Sequence, residues 1–330
     1  MNCKYSVGRK CLLGAAFVLS AGWLSVHASA ADGGPLLLDH AATSREAQTS
    51  PKSHIRVGVN LTLVPVTVTD SMGRTVTGLE RANFRVFDQG KEQQILSFSS
   101  EDVPVSVGLV FDLSGSMKDK LSEARNAVRA FARTLNPADE MFLVTFASRP
   151  RIAAGFTNSV GNILSSLMME KADGRTSLVD AVYLALHHIH SAAHNGRKAL
   201  LIVSDGGDNS SRYTLRELKS YAVEADTQIY AIGIHDDVAR TWEELMGKFL
   251  LVDIASATGG AKFTVENLAD LSDIASKIGV YVHNEYVLGY RPPENLRPGK
   301  YRKVHVELHP PRGVPPLSVY ARQGYYAPPF

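Results

Sequence analysis

Apolar runs alternate with amphipathic segments through the middle of the chain. The run Val105–Phe111 consists of apolar β-formers, and Lys118–Leu135 after it places its apolar residues at helical spacing. The other strands predicted here are Glu140–Phe146, Ile152–Phe156, Ala199–Val203, Gln228–Ile234 and Lys262–Val265, and the other helices are Leu178–Ile189, Thr214–Ala225 and Leu268–Val280. Apolar strands that alternate with helices are typical of a parallel sheet covered on both faces. The pattern predicts an α/β fold with a Rossmann-like, doubly wound and mostly parallel sheet over residues 101–283.

Strand-like segments flank this region on both sides, over residues 55–100 and 284–330. In the first segment apolar and polar residues alternate, and Pro65 interrupts the alternation, which is typical of an edge strand or a bulge. A turn at Asp88–Gly90 predicts a hairpin whose second strand is Gln93–Phe98. Neither segment is long enough to bury a core alone. We therefore expect the two segments to pack together as one accessory β-sandwich beside the α/β domain.

The N-terminus has the pattern of a secretory signal peptide. Three basic residues precede an apolar run at Cys11–Val26, and the small residues Ala28–Ala30 follow it. The run is shorter than the roughly 20 residues that a membrane-spanning helix needs, which weighs against a permanent anchor. The sequence predicts a signal peptide at residues 1–30, cleaved after about Ala30, and a flexible linker at residues 31–54.

Composition and charge narrow the class of protein. Apolar residues make up 45% of the chain and charged residues 21%, which are ordinary values for a packed core. The formal charge of +2 is too small to indicate a nucleic-acid partner, and cleavage of three basic residues would change it to −1. Both cysteines, Cys3 and Cys11, lie in the predicted signal peptide. We expect a mature protein that is periplasmic or secreted, has no membrane span and contains no disulfide or thiol nucleophile.

Oxygen-bearing side chains follow the first strand of the α/β region in the order Asp112, Ser114 and Ser116. In open α/β sheets, ligands bind at the carboxyl ends of the strands. Carboxylate and hydroxyl oxygens are hard ligands that suit Mg²⁺, Mn²⁺ or Ca²⁺ better than zinc. Asp and Ser are also the favoured helix-capping residues, so this motif alone is compatible with a simple cap.

Two further oxygen ligands are predicted at the same edge of the sheet. Asp205 ends the apolar strand Ala199–Ser204, and Thr176 immediately precedes the Leu178–Ile189 helix. Because the carboxyl ends of parallel strands share one edge, these residues are expected to lie near Asp112. The neighbouring Asp173, Asp208 and Asn209 are interpreted as loop polarity rather than as supports of the ligands.

These residues, in this order and spacing, resemble the metal-ion-dependent adhesion site of von Willebrand factor type A domains. The resemblance implies that Ser114 and Ser116 coordinate the metal through their hydroxyls. It implies that Thr176 coordinates directly in one state and more distantly in another. It also implies that Asp112 and Asp205 hold the ion directly or through water.

The resemblance covers nearly the whole mature chain. The region from Val105 to Ile278 resembles the von Willebrand factor type A domain, and the flanks resemble the VWFA-related domain of secreted acidobacterial proteins. The motifs that carry the resemblance outside the five site residues are Val68–Asp70, Asn83–Phe87, Ala257–Gly260, Tyr286–Tyr290 and Arg322–Tyr326. In the family, partner proteins present an Asp or Glu to the metal and binding can shift the last helix. The resemblance therefore implies a non-enzymatic, metal-dependent protein-binding module.

Three other interpretations remain open at the level of sequence. The first is a scaffold whose contacts use the β-sandwich while the metal only stabilises loops. The second is a metal-dependent hydrolase using Asp112 and Asp205, although no familiar general base or hydrolase motif accompanies them. The third concerns His187, His190 and His194, which share one helix face and could bind zinc, or else form an exposed polar stripe.

Overall fold

The computed structural model describes residues 61–234, 242–293 and 296–327. These residues belong to one compact unit that spans Val57–Phe330. The predicted signal peptide and the linker at residues 31–54 lie outside the described residues. Within the described ranges, no helix combines the length and the apolar character needed to cross a membrane.

A six-stranded sheet forms the centre of the α/β domain, as the alternation of apolar runs predicts. Its strands are β5 (Val105–Asp112), β6 (Glu140–Phe146), β7 (Pro150–Thr157), β8 (Arg197–Ser204), β9 (Gln228–Ile234) and β10 (Lys262–Val265). The order is β10-β9-β8-β5-β6-β7, and only β7 runs antiparallel to its neighbour. The chain moves outward from β5 first on one side and then on the other. The carboxyl end of β5 is therefore the point where strand order reverses, which is where open α/β sheets bind ligands.

Helices cover both faces of this sheet. The described helices are α1 (Leu121–Ala132), α2 (Val160–Met168), α3 (Leu178–Ala192), α4 (Leu215–Glu224), α5 (Trp242–Thr258) and α6 (Leu271–His283). One apolar core lies between the sheet and α1, α2 and α6, and a second lies between the sheet and α3, α4 and α5. Helix α4 begins with a capping box, in which Thr214 Oγ1 accepts the Glu217 N–H and the Glu217 side chain accepts the Thr214 N–H. The sequence analysis did not identify α2 or α5. Helix α5 is apolar on several faces, so its helical periodicity is weak.

The flanking segments build two four-stranded antiparallel sheets around a shared core, which confirms the predicted accessory β-sandwich. The first sheet has the order β13-β1-β11-β4, with strands β1 (Thr62–Thr69), β4 (Ile95–Ser99), β11 (Tyr286–Tyr290) and β13 (Ser318–Ala321). The second has the order β14-β12-β2-β3, with strands β2 (Phe84–Asp88), β3 (Lys91–Gln93), β12 (Tyr301–Leu308) and β14 (Gly324–Tyr326). Each sheet contains strands from both sides of the α/β domain.

Two local expectations for the sandwich were wrong. The strand that contains Pro65 is not an edge strand, because β1 lies between β13 and β11 in regular register. Pro65 is tolerated because β13 pairs with β1 only from Val66 onward, so the missing N–H costs no ladder bond there. The strand predicted at Gln93–Phe98 is divided, since β3 stays paired with β2 while β4 joins the other sheet. A hairpin pattern alone does not show where a chain changes sheets.

A buried ion pair lies where α6 leads into β11. Arg197 Nη2 is 2.6 Å from Glu285 Oε2, and the Tyr230 hydroxyl donates to Glu285 Oε1 at 3.0 Å. Arg197 also donates to the carbonyl of Val282 at the end of α6. Burial raises the pKa of Glu285, and it raises the pKa of Tyr230 well above its usual value. This ion pair and the Tyr230 hydroxyl join β8 and β9 of the central sheet to the chain segment that enters the sandwich.

Candidate functional site

Three loops meet at the carboxyl edge of the central sheet, at residues 113–120 after β5, 169–177 before α3 and 205–214 after β8. We call them the three site loops. Backbone bonds join them: Gly115 N–H donates to Gly174 O at 3.0 Å, and Asn209 N–H donates to Thr176 O at 3.0 Å. Residues far apart in sequence are thereby fixed beside one another. The five predicted site residues lie on these loops or directly at the strand end that precedes them.

Asp112 ends β5 and is fully buried. Its Oδ1 accepts the Ser114 N–H at 2.8 Å, and its Oδ2 accepts the Ser204 hydroxyl at 2.6 Å. Burial, followed by the negative charge of Asp205, raises the pKa of Asp112 to about 7. The carboxylate is therefore held in one orientation, in a place where its own charge is disfavoured unless a positive charge compensates it.

Ser114 and Ser116 present their hydroxyls side by side, with 3.1 Å between the two Oγ atoms. Ser114 is buried and Ser116 is exposed. Ser114 stands at the N-cap position of the short 3₁₀ turn Gly115–Lys120, but its side chain makes no capping bond there. Helix α1 begins only after Lys120, whose side chain also makes no capping bond. The cap interpretation of this motif is therefore not supported, and both hydroxyls keep acceptor capacity for another ligand.

Asp205 and Thr176 approach the same place from the other two site loops. Both are almost fully buried. Gly206, which has a φ of +88°, turns the backbone sharply after Asp205 and donates its N–H to Ser204 Oγ at 2.9 Å. The Thr176 hydroxyl lies 3.9 Å from the position that a Cβ on Gly207 would occupy. The Thr176 hydroxyl and the Asp205 loop are therefore neighbours.

Lys120 supplies a positive charge to the candidate site. Its Nζ lies 3.5 Å from Asp205 Oδ2, and both side chains are largely shielded from solvent. Because Lys120 belongs to the loop that carries Ser114 and Ser116, this ion pair links that loop to the loop after β8. The sequence interpretation did not include Lys120, since 85 residues separate it from Asp205.

Two supporting residues also correct or extend the sequence interpretation. The sequence predicts only loop polarity for Asn209, but its Oδ1 accepts the Thr176 N–H at 3.0 Å and so fixes the position of Thr176. Ser204 was not singled out, yet it bonds both Asp112 and Gly206. Its place at the end of the apolar strand, directly before Asp205, was the available signal. Asp208 bonds Ser211 instead, and Asp173 is exposed, in agreement with loop polarity for those two.

The chemistry of these donors fits a hard divalent cation. Three hydroxyls and two carboxylates supply only oxygen atoms, which Mg²⁺, Mn²⁺ and Ca²⁺ prefer. The repulsion between Asp112 and Asp205 is the kind of unfavourable charge pair that a cation relieves. Within the described parts of the chain, no group of three or more His, Cys, Asp or Glu side chains is arranged to hold a metal. A cation here would therefore depend on hydroxyl ligands as well as on acids.

The histidine cluster on α3 does not form a zinc site. The His188 ring packs against Phe142 and Phe156, with ring centroids 4.7 and 5.2 Å apart. His194 Nδ1 lies 2.8 Å from Glu140 Oε2, beyond the end of the helix. No group of three or more potential metal ligands among the described residues includes these histidines. The zinc interpretation of His187, His190 and His194 was therefore wrong, and the three side chains are exposed, as the polar-stripe alternative predicts. Helix α3 ends at Ala192, so His194 does not share the helix face of His187 and His190.

Comparison with known proteins agrees with this architecture. The sequence matches the von Willebrand factor type A domain over residues 106–277. A "UPF0353 protein" of Mycolicibacterium paratuberculosis is 25% identical over 218 residues, which are 56% of this chain and 61% of that protein. The chain thus spans less than two thirds of this relative's length.

Solved structures with some similarity to this chain come from diverse sources. The von Willebrand factor type A protein from Catenulispora acidiphila is 14% identical, with a TM-score of 0.49, and the match covers 81% of this chain and 75% of that one. Proximal thread matrix protein 1 from the mussel byssus, solved with a zinc-occupied MIDAS motif, is 18% identical, with a TM-score of 0.48 and coverage of 59% and 49%. Because the domain match spans more than half of the 330 residues, this chain belongs to the von Willebrand factor type A domain family.

Proposed function

We propose that this protein is an exported, metal-ion-dependent binding module that recognises a carboxylate of a partner protein. In this proposal Asp112, Ser114, Ser116, Thr176 and Asp205 hold one divalent cation, with Mg²⁺ as the first candidate and Mn²⁺ or Ca²⁺ as alternatives. The observation that supports it most is the joining of three site loops by hydrogen bonds, with five oxygen-bearing side chains on these loops or at the adjoining strand end. No step of the proposal requires the protein to be an enzyme.

The side chains of such a site have different roles. The bound cation would supply a positive charge with a coordination position open to a partner's Asp or Glu. Asp112 offers an oriented carboxylate, because the Ser114 N–H and the Ser204 hydroxyl fix both of its oxygens. Ser114 and Ser116 add ligands without adding charge, so the cation keeps its attraction for an acid from outside. Exposed Ser116 marks the side from which the partner would approach.

Capture of a partner from the envelope fraction of the native organism tests the function. The immobilised mature protein should retain a partner in Mg²⁺ buffer, lose it in EDTA, and recover it when Mg²⁺ is restored in excess. A scaffold that binds through the sandwich would retain its partner in EDTA. A hydrolase would turn over generic phosphate or ester substrates, and would lose that turnover in Asp205→Ala. Either of these two results would contradict the proposal.

Replacing Lys120 with glutamine should strengthen Mg²⁺ binding by about two- to fivefold. The Lys120 ammonium lies beside Asp205. When a cation binds Asp205, this ammonium must either move away or stay close to a second positive charge. The expected size of this change in Mg²⁺ affinity follows from the usual strength of a partly exposed ion pair, roughly 0.2–1 kcal/mol. Calorimetric titration measures the change, and Lys118→Gln on the exposed side of the same turn is the matched control. A loss of affinity in the Lys120 variant would mean that the lysine supports the cation instead of competing with it.

Replacing Gly247 with alanine should destabilise the protein and weaken cation binding together. A Cβ on Gly247 of α5 would overlap the carbonyl of Gly206, the residue that turns the chain after Asp205. Overpacking of this kind costs about 1–3 kcal/mol, although alanine favours a helix intrinsically. Thermal unfolding and Mg²⁺ titration measure the two effects. The control is Gly161→Ala in α2, where the nearest atom is at ordinary contact distance, and this variant should be neutral or slightly stabilising.

A further inference from the structure

A groove of about 1110 Å³ lies on the α/β domain, between the β6–β7 turn, the first half of α3 and the segment that leads into α4. None of the five candidate metal ligands lines it. The volume reaches the upper end of the range for small-molecule pockets, about 300–1,000 Å³. The groove is therefore large enough for a ligand of several linked rings, and a ligand bound there would not need the cation.

A stack of three tyrosines provides an aromatic platform at the groove. The ring of Tyr183 lies between those of Tyr213 and Tyr221, with centroids 4.0 and 4.7 Å apart and interplanar angles of 10° and 28°. Tyr213 rests on Tyr183 with one face and is still 44% exposed, so its other face is open to a ligand. Asp180 Oδ1 fixes this segment by accepting the backbone N–H groups of Arg212 and Tyr213 at 2.8 and 3.0 Å. A ring that is already held in place loses little side-chain entropy when a ligand packs on it.

The charged groups that line the groove balance one another. Asp180 and Glu217 carry negative charges, and the exposed Arg149 and Arg212 carry positive ones. Each carboxylate uses one oxygen within the protein, since Glu217 Oε2 accepts the N–H and the hydroxyl of Thr214 in the way that Asp180 Oδ1 accepts backbone groups. Among the described residues no donor bonds the other oxygen of either acid. The groove thus offers hydrogen-bond acceptors and donors together, with no net charge from these four side chains.

This combination suits a neutral sugar better than a charged ligand. A pyranose ring presents C–H groups on its face and hydroxyls at its rim, and each hydroxyl both donates and accepts a hydrogen bond. The ring face would pack on the open face of Tyr213, while the hydroxyls donate to the carboxylates and accept from the guanidinium groups. A ligand with a net charge of either sign would meet a like charge in this groove as well as an opposite one.

We propose that this groove binds a neutral oligosaccharide, with one sugar ring packed on Tyr213 and its hydroxyls bonded by the surrounding carboxylates and guanidinium groups. The inference goes beyond the proposed function, because it gives the α/β domain a second binding site for a ligand of another class. Because the ligand carries no charge, its affinity should change little between low and high salt. Its affinity should also be the same in Mg²⁺ buffer and in EDTA, since the groove and the candidate metal ligands share no side chain.

Calorimetric titration of the mature protein with cellohexaose, chitohexaose and maltohexaose tests the inference. At least one of these neutral hexasaccharides should bind to a single site with a dissociation constant of about 1 mM or below. Tyr213→Ala should weaken that binding about three- to tenfold, which is the size expected of one aromatic contact. Tyr213→Phe should restore most of the affinity because it keeps the ring. The matched control is Phe249→Ala, which removes an exposed aromatic ring of α5 outside the groove and should bind like the wild type.

Several results would overturn the groove assignment. The first is that none of the three sugars shows saturable binding, and the second is that Tyr213→Ala and Phe249→Ala lose affinity equally. An oligogalacturonate or oligoglutamate that binds through Tyr213 more tightly than the neutral sugars, and more weakly in high salt, would replace the neutral ligand with an acidic one. Loss of sugar binding in EDTA would place the sugar on the cation. Sugar binding that is unchanged in EDTA supports the groove whether or not the proposed metal function holds.

Discussion

Replacing Asp112 with alanine is expected to abolish Mg²⁺ binding while the protein stays folded. Asp112 is the fully buried carboxylate of the proposed donor set, and Ser114 and Ser204 hold its two oxygens in place. Supporting residues of metal sites commonly contribute about 10–100-fold in affinity, so loss of a direct carboxylate should exceed that range. Folding should survive because the ionised Asp112 is itself costly without a cation, as its pKa of about 7 indicates. Removal of the side chain relieves this cost but leaves two hydrogen-bond donors without their acceptor.

Calorimetric titration with Mg²⁺, Mn²⁺ and Ca²⁺ measures this prediction and also ranks the three cations. Asp173→Ala is the matched control, because Asp173 is an exposed acid on a neighbouring site loop and should not affect affinity. Circular dichroism and thermal unfolding establish that both variants are folded. Unchanged Mg²⁺ affinity in a folded Asp112→Ala protein would remove the site assignment.

Replacing Arg197 with methionine should lower the free energy of unfolding by about 3–5 kcal/mol at neutral pH. The change removes the partner of Glu285, whose carboxylate is fully buried, and an uncompensated buried charge carries a penalty of this size. The Tyr230 hydroxyl would remain as a donor to Glu285, but a neutral hydroxyl does not replace a guanidinium. The carbonyl of Val282 would lose its bond to Arg197 as well.

The loss of stability in Arg197→Met should depend on pH in a defined direction. Burial raises the pKa of Glu285 above its ordinary value of 4.5 in the folded protein, and loss of the arginine raises it further. Below that ordinary value the carboxyl is protonated in both states and the penalty is absent. It appears as pH rises from 4.5 toward the raised pKa of the folded state, since only the unfolded chain then ionises freely. Arg197→Met should therefore be less destabilising at pH 5 than at pH 8.

Urea unfolding measures this loss, and two further variants control for it. Lys198→Met changes the neighbouring residue of β8, which is not part of the ion pair, and should have a small effect. Arg197→Met/Glu285→Gln removes both charges and should recover most of the lost stability, because the desolvation penalty disappears with the carboxylate. A loss below about 1 kcal/mol in the single variant would show that the pair contributes little to holding the α6–β11 junction.

The sequence by itself determined the elements that depend on neighbouring residues. Runs of apolar β-formers such as Val105–Phe111 predict buried parallel strands, and β5 is found at Val105–Asp112. The strands Glu140–Phe146, Gln228–Ile234 and Lys262–Val265 agree with β6, β9 and β10 in their boundaries. Periodicity and backbone capping act over a few residues, so the chain carries these signals locally. The fold class followed from them, and it was confirmed.

Only the tertiary structure decided how separated segments meet. It placed β1 between two strands from the far end of the chain, with Pro65 directly before the first residue that pairs with β13. It brought Lys120 to Asp205 and Asn209 to Thr176, and it placed His194 beyond the end of α3, against Glu140. Contacts of this kind depend on loop conformations that are fixed after the sheet and its helices have packed, and no local pattern encodes them. The oxygen-bearing residues could be identified from the sequence because each follows a strand or precedes a helix. The residues that orient them, Ser204 and Asn209, and the lysine that pairs with Asp205 could be identified only in the folded arrangement of the loops.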